Sequence, residues 1–521
     1  MRKVLILSAA LSLSGMVLCS GVGLAQRGLI GNWTAAGNDP GHSGWQKAET
    51  KISKETAGTK FKYLWKIKLG ASTKDARNFT EPLLAPRLIN AHGFKDLVLW
   101  ASTDTVYAVD SELGTIVWKK KFETSAGACG PRNMSIVLEP PVVINFGARR
   151  APGAPRPAAP PPPPIASQRR LGVSVTGGFA LKGLYVLAGD GRIHEQVLTT
   201  GVEYAPSAPS VKFLPGTMAA DGLNMIGKTI LTSTSSNCPG SPNGVWGIDV
   251  ANPDYTVSSY ATQKISPLGL AAPIAEGGAV YTITGSGTSD PSKGVYANSV
   301  VALGEKDLKV TDWYTPAGGG TLESVTPTAF AYKGKKLIVA PGKDGSYVLL
   351  DAASLGGGDH QTPLAETARI SKAPRGAYNG LASWQDESGT AWVLASISGP
   401  VEGSAKFATT NGAATHGSIV AFKVEDEGGK MTLTPAWVSR DMINPASPVA
   451  ANGTVVALSQ GNATTHARLY VLDATTGKEL YSSGDSIPTY AHLTGVSVGD
   501  GHAFFTTHDN VLYSFGIALE H

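Results

Sequence analysis

The side chains that could do chemistry in this sequence are scattered singly through Gly-, Ser- and Pro-rich stretches. Arg132 sits in "AGACGPRN" with Cys129, Asp290 in "GTSDPSKG", Asn298 in "YANSV", and Lys343 with Asp344 in "GKDGS". Arg375 lies in "APRGAYNG", His416 in "ATHGS" and His492 in "YAHLTG". If these stretches share one mouth, Arg132, Lys343, Arg375, His416 and His492, with Asn298, could hold an anionic small molecule. Asp290 and Asp344 would be the carboxylates beside it. Each residue also fits a solvated loop or a turn cap. His416, His466 and His492 lack the short spacing of a zinc or copper site. "GDGRIH" and "GKDGS" read as turns and not phosphate loops, because neither opens a helix.

Cysteine use is sparse. Of three cysteines, Cys19 falls in a leader, leaving Cys129 and Cys238 as either a disulfide across that mouth or two unpaired thiols. There is no cysteine-rich metal site and no Cys-x-x-Cys-His for attached haem. The leader is residues 1–25: Arg2 and Lys3, an apolar run from Val4 to Leu18, then Gly23 and Ala25 before a cleavage point at Gln26. Leu18 before Cys19 disfavours lipid attachment. A periplasmic or secreted protein is expected. The net charge of +4 becomes +2 without Arg2 and Lys3, which argues against nucleic acid as a partner. No later run approaches the roughly 18 apolar residues of a transmembrane segment, and no basic amphipathic helix is evident. A monomer is expected, with a small anionic ligand or an envelope protein as partner.

The elements that must position these residues are strands. With 62 glycines and few helical periodicities, the chain reads as many short strands joined by turns. One unit recurs about every 40–60 residues, the range of propeller blades. Copies cover 82–122, 227–260, 271–316, 326–355, 380–440 and 447–481, with a degenerate one beginning at 139 and an incomplete one ending at 517. The last copy lacks a fourth strand, and "KYLWKIKLG", 62–70, is an orphan fourth strand. Joining the two closes the ring. The expectation is an all-β chain with a single propeller of eight four-stranded antiparallel blades over 60–517. A lead-in segment at 26–59 precedes it and a short tail at 518–521 follows. Within blade two, 147–170 is Pro-rich and reads as a disordered insertion.

The best-specified unit is "VYAVDSELGTIVW", echoed by "LYVLDATTGKELY". Asp110 can accept turn amides, Gly114 can supply positive φ, and Trp118 can cover the seam between blades. Trp65, Trp313 and Trp437 stand at equivalent places, with Tyr481 substituting once. Ala-x-Asp-x-x-Thr-Gly-x-x-x-Trp resembles the repeat of the quinoprotein, or PQQ-like, β-propellers, with Leu113 in the Thr place; "GNWTAAGNDPGHSGWQ" is similar to the start of such proteins. The resemblance implies the fold for nearly the whole mature chain. It admits two activities. One is PQQ-dependent oxidation of an alcohol, sugar or aldehyde with Ca²⁺ or a lanthanide, Asp290 or Asp344 assisting proton or hydride abstraction. The other is a non-enzymatic propeller scaffold for protein–protein interaction in the cell envelope. The adjacent cysteines and metal motif of the dehydrogenases are missing here.

Overall fold

The computed structural model describes residues 31–518 apart from 71–79, 91–92, 124–133, 141–182, 204–209, 216–219, 221, 235–241, 252–253, 264, 266, 269–272, 319–321, 323–324, 372–379, 403 and 492–493. The leader and the Pro-rich insertion lie outside the described residues.

Eight antiparallel sheets form the blades, and their first strands neighbour one another in chain order and close from the eighth back to the first. Blade one is representative: Leu83–Asn90, Gly93–Ala101, Thr105–Asp110 and Ile116–Lys121 pair in sequence from the axis outward. Blade eight is composite. Ser497–Gly499, His502–Thr506 and Val511–Ile517 receive Phe61–Lys68 as their outer strand, antiparallel to Val511–Ile517. The orphan strand therefore closes the ring as its sequence predicts. Closure removes two open sheet edges and joins two segments about 450 residues apart.

Two copies start earlier than their sequence suggests. The first strand of blade two is Ser135–Leu138, ahead of 139, and that of blade three is Asn224–Ile226, ahead of 227. Both strands are short, and tertiary partners define them: Leu138 N–H donates to Thr34 O, and the Asn224 amide donates to Pro40 O and Pro273 O.

The repeat motif does what its residue types suggest. Asp110 accepts from the amides of Glu112 and Leu113 at 3.1 and 3.0 Å, and Asp473 repeats this with Thr475 and Thr476. The indole of one blade lies over the turn of the next. Trp65, Trp118 and Trp437 donate Nε1–H to the carbonyls of Ser111, Leu198 and Ala474. Gly114, at φ +65°, has no room for a side chain: a methyl there would sit 2.6 Å from Trp65. Trp313 makes the same junction differently, stacking on His360 at 3.8 Å, while Tyr481 packs edge-on against Phe61.

Candidate functional site on the propeller axis

The lead-in segment occupies the axis. Gly31 to Gln46 run once around it and bond to the first strands of the blades in ring order. Trp33 bridges Leu84, and Thr34 O accepts from Leu138. Pro40 O accepts from Ala275, Gly41 O from Ala329, Ser43 O from Ser383, and Gly44 O from Ala450. Trp45–Gln46 adds a parallel strand to Val449–Ala451. The buried Gln46 amide closes the circle, donating to Asn32 O and Val498 O at 2.9 Å each. These bonds satisfy inner-edge amides that would otherwise face the channel unpaired. The Gly-rich composition follows from the close approach: at Gly44, φ +60°, a methyl would lie 2.7 Å from Ala382 Cβ.

On the side of the between-blade loops, a small cavity of about 50 Å³ remains, lined by Trp33, His42 and Glu81 among others. Glu81 accepts from the Trp33 indole and from Gly37 N–H. The residue as a whole is half-buried, but its carboxyl is enclosed, and that desolvation pushes it up to about 7 against the downward pull of those two bonds. Burial pushes the neighbouring His42 imidazole down to about 4, and its Nε2 has no hydrogen-bond partner among the described residues. Glu81 can hold or release a proton near neutral pH while His42 stays neutral. Neither residue was singled out from the sequence. The available signals were an acid directly before Pro82, which opens an inner strand, and a lone His in a Gly-rich run.

On the opposite side, where first and second strands turn, a cavity of about 560 Å³ opens above the same segment. Trp45, Phe330 and Trp384 give it aromatic walls; Asp39, Glu276 and Lys47 give it charge. Burial raises the Asp39 carboxyl, while Ser43 donates to it from both Oγ and N–H. Lys47 Nζ lies 4.7 Å from the Trp45 ring centre, and Lys336 stands 3.9 Å from Glu276.

The described residues expected from sequence sit on the loop side, in segments joining second to third strands, except Tyr490, which lies between blades seven and eight. Asp290 caps the short turn Pro291–Lys293 and pairs with Lys293 at 2.7 Å; that bond and Ser292 hold its carboxyl below the usual range. Asn298 adopts φ +49° and donates its backbone N–H to Gly285 O. Lys343 donates to Ala317 O at 3.1 Å, and Asp344 occupies the left-handed corner of the same hairpin. His416 pairs with Asp441 at 2.6 Å, His466 with Asp485 at 3.0 Å, and Tyr490 stacks on His508. Asp290 thus has its partner within its own loop, and Lys343 and His416 have theirs in neighbouring between-blade segments. Arg132, Arg375, His492, Cys129 and Cys238 lie outside the described residues. Among the described residues no group of three or more His, Cys, Asp or Glu gathers to hold a metal ion.

Neither a protein-family model nor a curated protein matches this sequence. Solved structures do. A quinohemoprotein alcohol dehydrogenase from Comamonas testosteroni matches with TM-score 0.56 at 13% identity, over 94% of this chain and 81% of that one. A quinohemoprotein alcohol dehydrogenase from Pseudomonas putida HK5 matches with TM-score 0.57 at 12%, over 95% and 82%. A europium-containing methanol dehydrogenase matches with TM-score 0.53 at 12%, over 93% and 98%. The fold is that of the quinoprotein β-propellers.

Neither of these two cavities, as its described residues line it, fits PQQ, a planar quinone bearing three carboxylates. The loop-side cavity of about 50 Å³ is far below the roughly 300 Å³ at which ligand pockets begin. The turn-side cavity is large enough, but it presents Asp39 and Glu276 against Lys47, a poor match for a trianion.

Proposed function

We propose that this chain is an exported propeller that binds a small molecule on its axis, in the cavity walled by the first turns of blades three to six. The carrying observation is that cavity, about 560 Å³ with two tryptophans, a phenylalanine and flanking charges, within the size and composition of ligand sites. Export rests on the leader at 1–25. The fold keeps PQQ-dependent oxidation of an alcohol, sugar or aldehyde as the activity to test against this reading.

Two measurements separate the readings. Native mass spectrometry of protein purified from an envelope extract should show a retained small molecule. Ala331→Trp, at an exposed cavity position, should abolish its retention without unfolding the chain. Titration with PQQ and Ca²⁺ or a lanthanide should give no bound-quinone absorbance. Stoichiometric quinone binding that persists in Ala331→Trp would overturn the proposal and restore the dehydrogenase.

A further inference from the structure

The outer wall of blades eight, one and two carries a combination found nowhere else among the described residues. The fourth strands of blades eight and one, "FKYLWKIK" and "IVWKKK", carry Lys62, Lys66, Lys68, Lys119, Lys120 and Lys121 and no acid. Lys68 pairs with Asp509 and Lys121 with Asp104, which leaves four of these ammonium groups outside the described ion pairs. Lysines on outer strands can by themselves serve to block strand addition. What separates this wall from simple edge protection is the apolar surface among them. Of six exposed large apolar side chains described, Tyr63, Leu113, Ile116, Val117 and Val202 fall here; Leu113 is 65% and Val202 55% exposed.

These residues are held as one surface. The Trp65 indole fixes blade eight to the turn carrying Leu113, and the Trp118 indole fixes blade one to the turn carrying Val202. Burying isolated aliphatic groups on turn tips takes only a shallow apolar layer. Cationic heads on long stems around shallow apolar contacts match a lipid interface.

We propose that the outer wall of blades eight, one and two docks on a bilayer surface rich in anionic lipid, with Lys62, Lys66, Lys119 and Lys120 at the headgroups and Leu113, Ile116 and Val202 in the interfacial layer. This is independent of the axial ligand. No helix among the described residues is long and apolar enough to cross a membrane, and the contact is peripheral.

Co-sedimentation of the whole protein with phosphatidylglycerol-containing vesicles, and with phosphatidylcholine vesicles, tests it. Binding is expected to the anionic vesicles alone and to weaken with salt. The triple variant Lys62→Gln, Lys119→Gln, Lys120→Gln should lower partitioning about 100-fold. Leu113→Ser with Val202→Ser should lower it on the order of 10-fold. All five positions are on the surface, so a denaturation midpoint equal to the parent's confirms folding. The proposal is overturned by equal binding to both vesicle types, by variants that sediment like the parent, or by retention on polyglutamate without vesicle binding.

Discussion

Replacing Glu81 by glutamine tests the axial chemistry through stability. The Glu81 carboxyl is enclosed between the Trp33 indole and the Gly37 amide, and it is raised from 4.5 to about 7. A raised carboxyl means the folded state binds the proton more tightly than the unfolded one, so stability falls as pH rises between those two values. At about 1.4 kcal/mol per pH unit, the loss amounts to about 3 kcal/mol. His42, on the same cavity, acts in the opposite sense. Its imidazole is lowered from 6.5 to about 4, so the unfolded state takes the proton first and stability falls by about 3 kcal/mol as pH drops through that interval. The two slopes nearly cancel in the native protein and mask each other. A glutamine in place of Glu81 would keep an acceptor for the indole and amide but could not ionise. Glu81→Gln should therefore match the parent near pH 4.5 and exceed it by about 3 kcal/mol near pH 8. His42→Asn, which tolerates the φ of +50° there, should remove the opposite slope. Urea denaturation at several pH values reads both. A difference between Glu81→Gln and parent that stays flat across pH would refute the assignment of an enclosed, proton-holding carboxyl.

Other outcomes follow from the same packing. Gly114→Ala must adopt φ +65° and push against Trp65 at 2.6 Å, and should cost about 2 kcal/mol or more in chemical denaturation; an unchanged midpoint would refute the seam's tightness. Trp437→Ala removes a fully buried indole and its bond to Ala474 O, and should cost about 3–5 kcal/mol. Gln46→Ala leaves the carbonyls of Asn32 and Val498 without that donor, and should cost about 2 kcal/mol while exposing the lead-in segment to limited proteolysis. Proteolysis at the parental rate would show that this amide does not close the axial circle.

The candidate site was less legible than the fold, for reasons visible residue by residue. Asp110, Gly114 and Trp118 act across short spans, so their chemistry can be read from spacing. Asp290 and His416 stand in Gly- and Ser-rich stretches, and charge type alone could not show that Lys293 and Asp441 already pair with them. Glu81 and His42 look like ordinary surface residues in the sequence; desolvation alone gives them their altered acidity.

What the sequence determined is the repeat: alternating apolar strands, Asp–Gly turns and seam aromatics specify eight blades, and an orphan outer strand specifies how the ring closes. These are local interactions, and each copy states them again. The tertiary structure alone decided what fills the axis. The inner edges of the blades converge there with unpaired amides, and a segment of irregular, Gly-rich chain satisfies them one blade at a time. No periodicity marks such a segment, because its partners come from every part of the chain. The same convergence encloses the Glu81 carboxyl and His42 on one side and leaves the aromatic cavity open on the other.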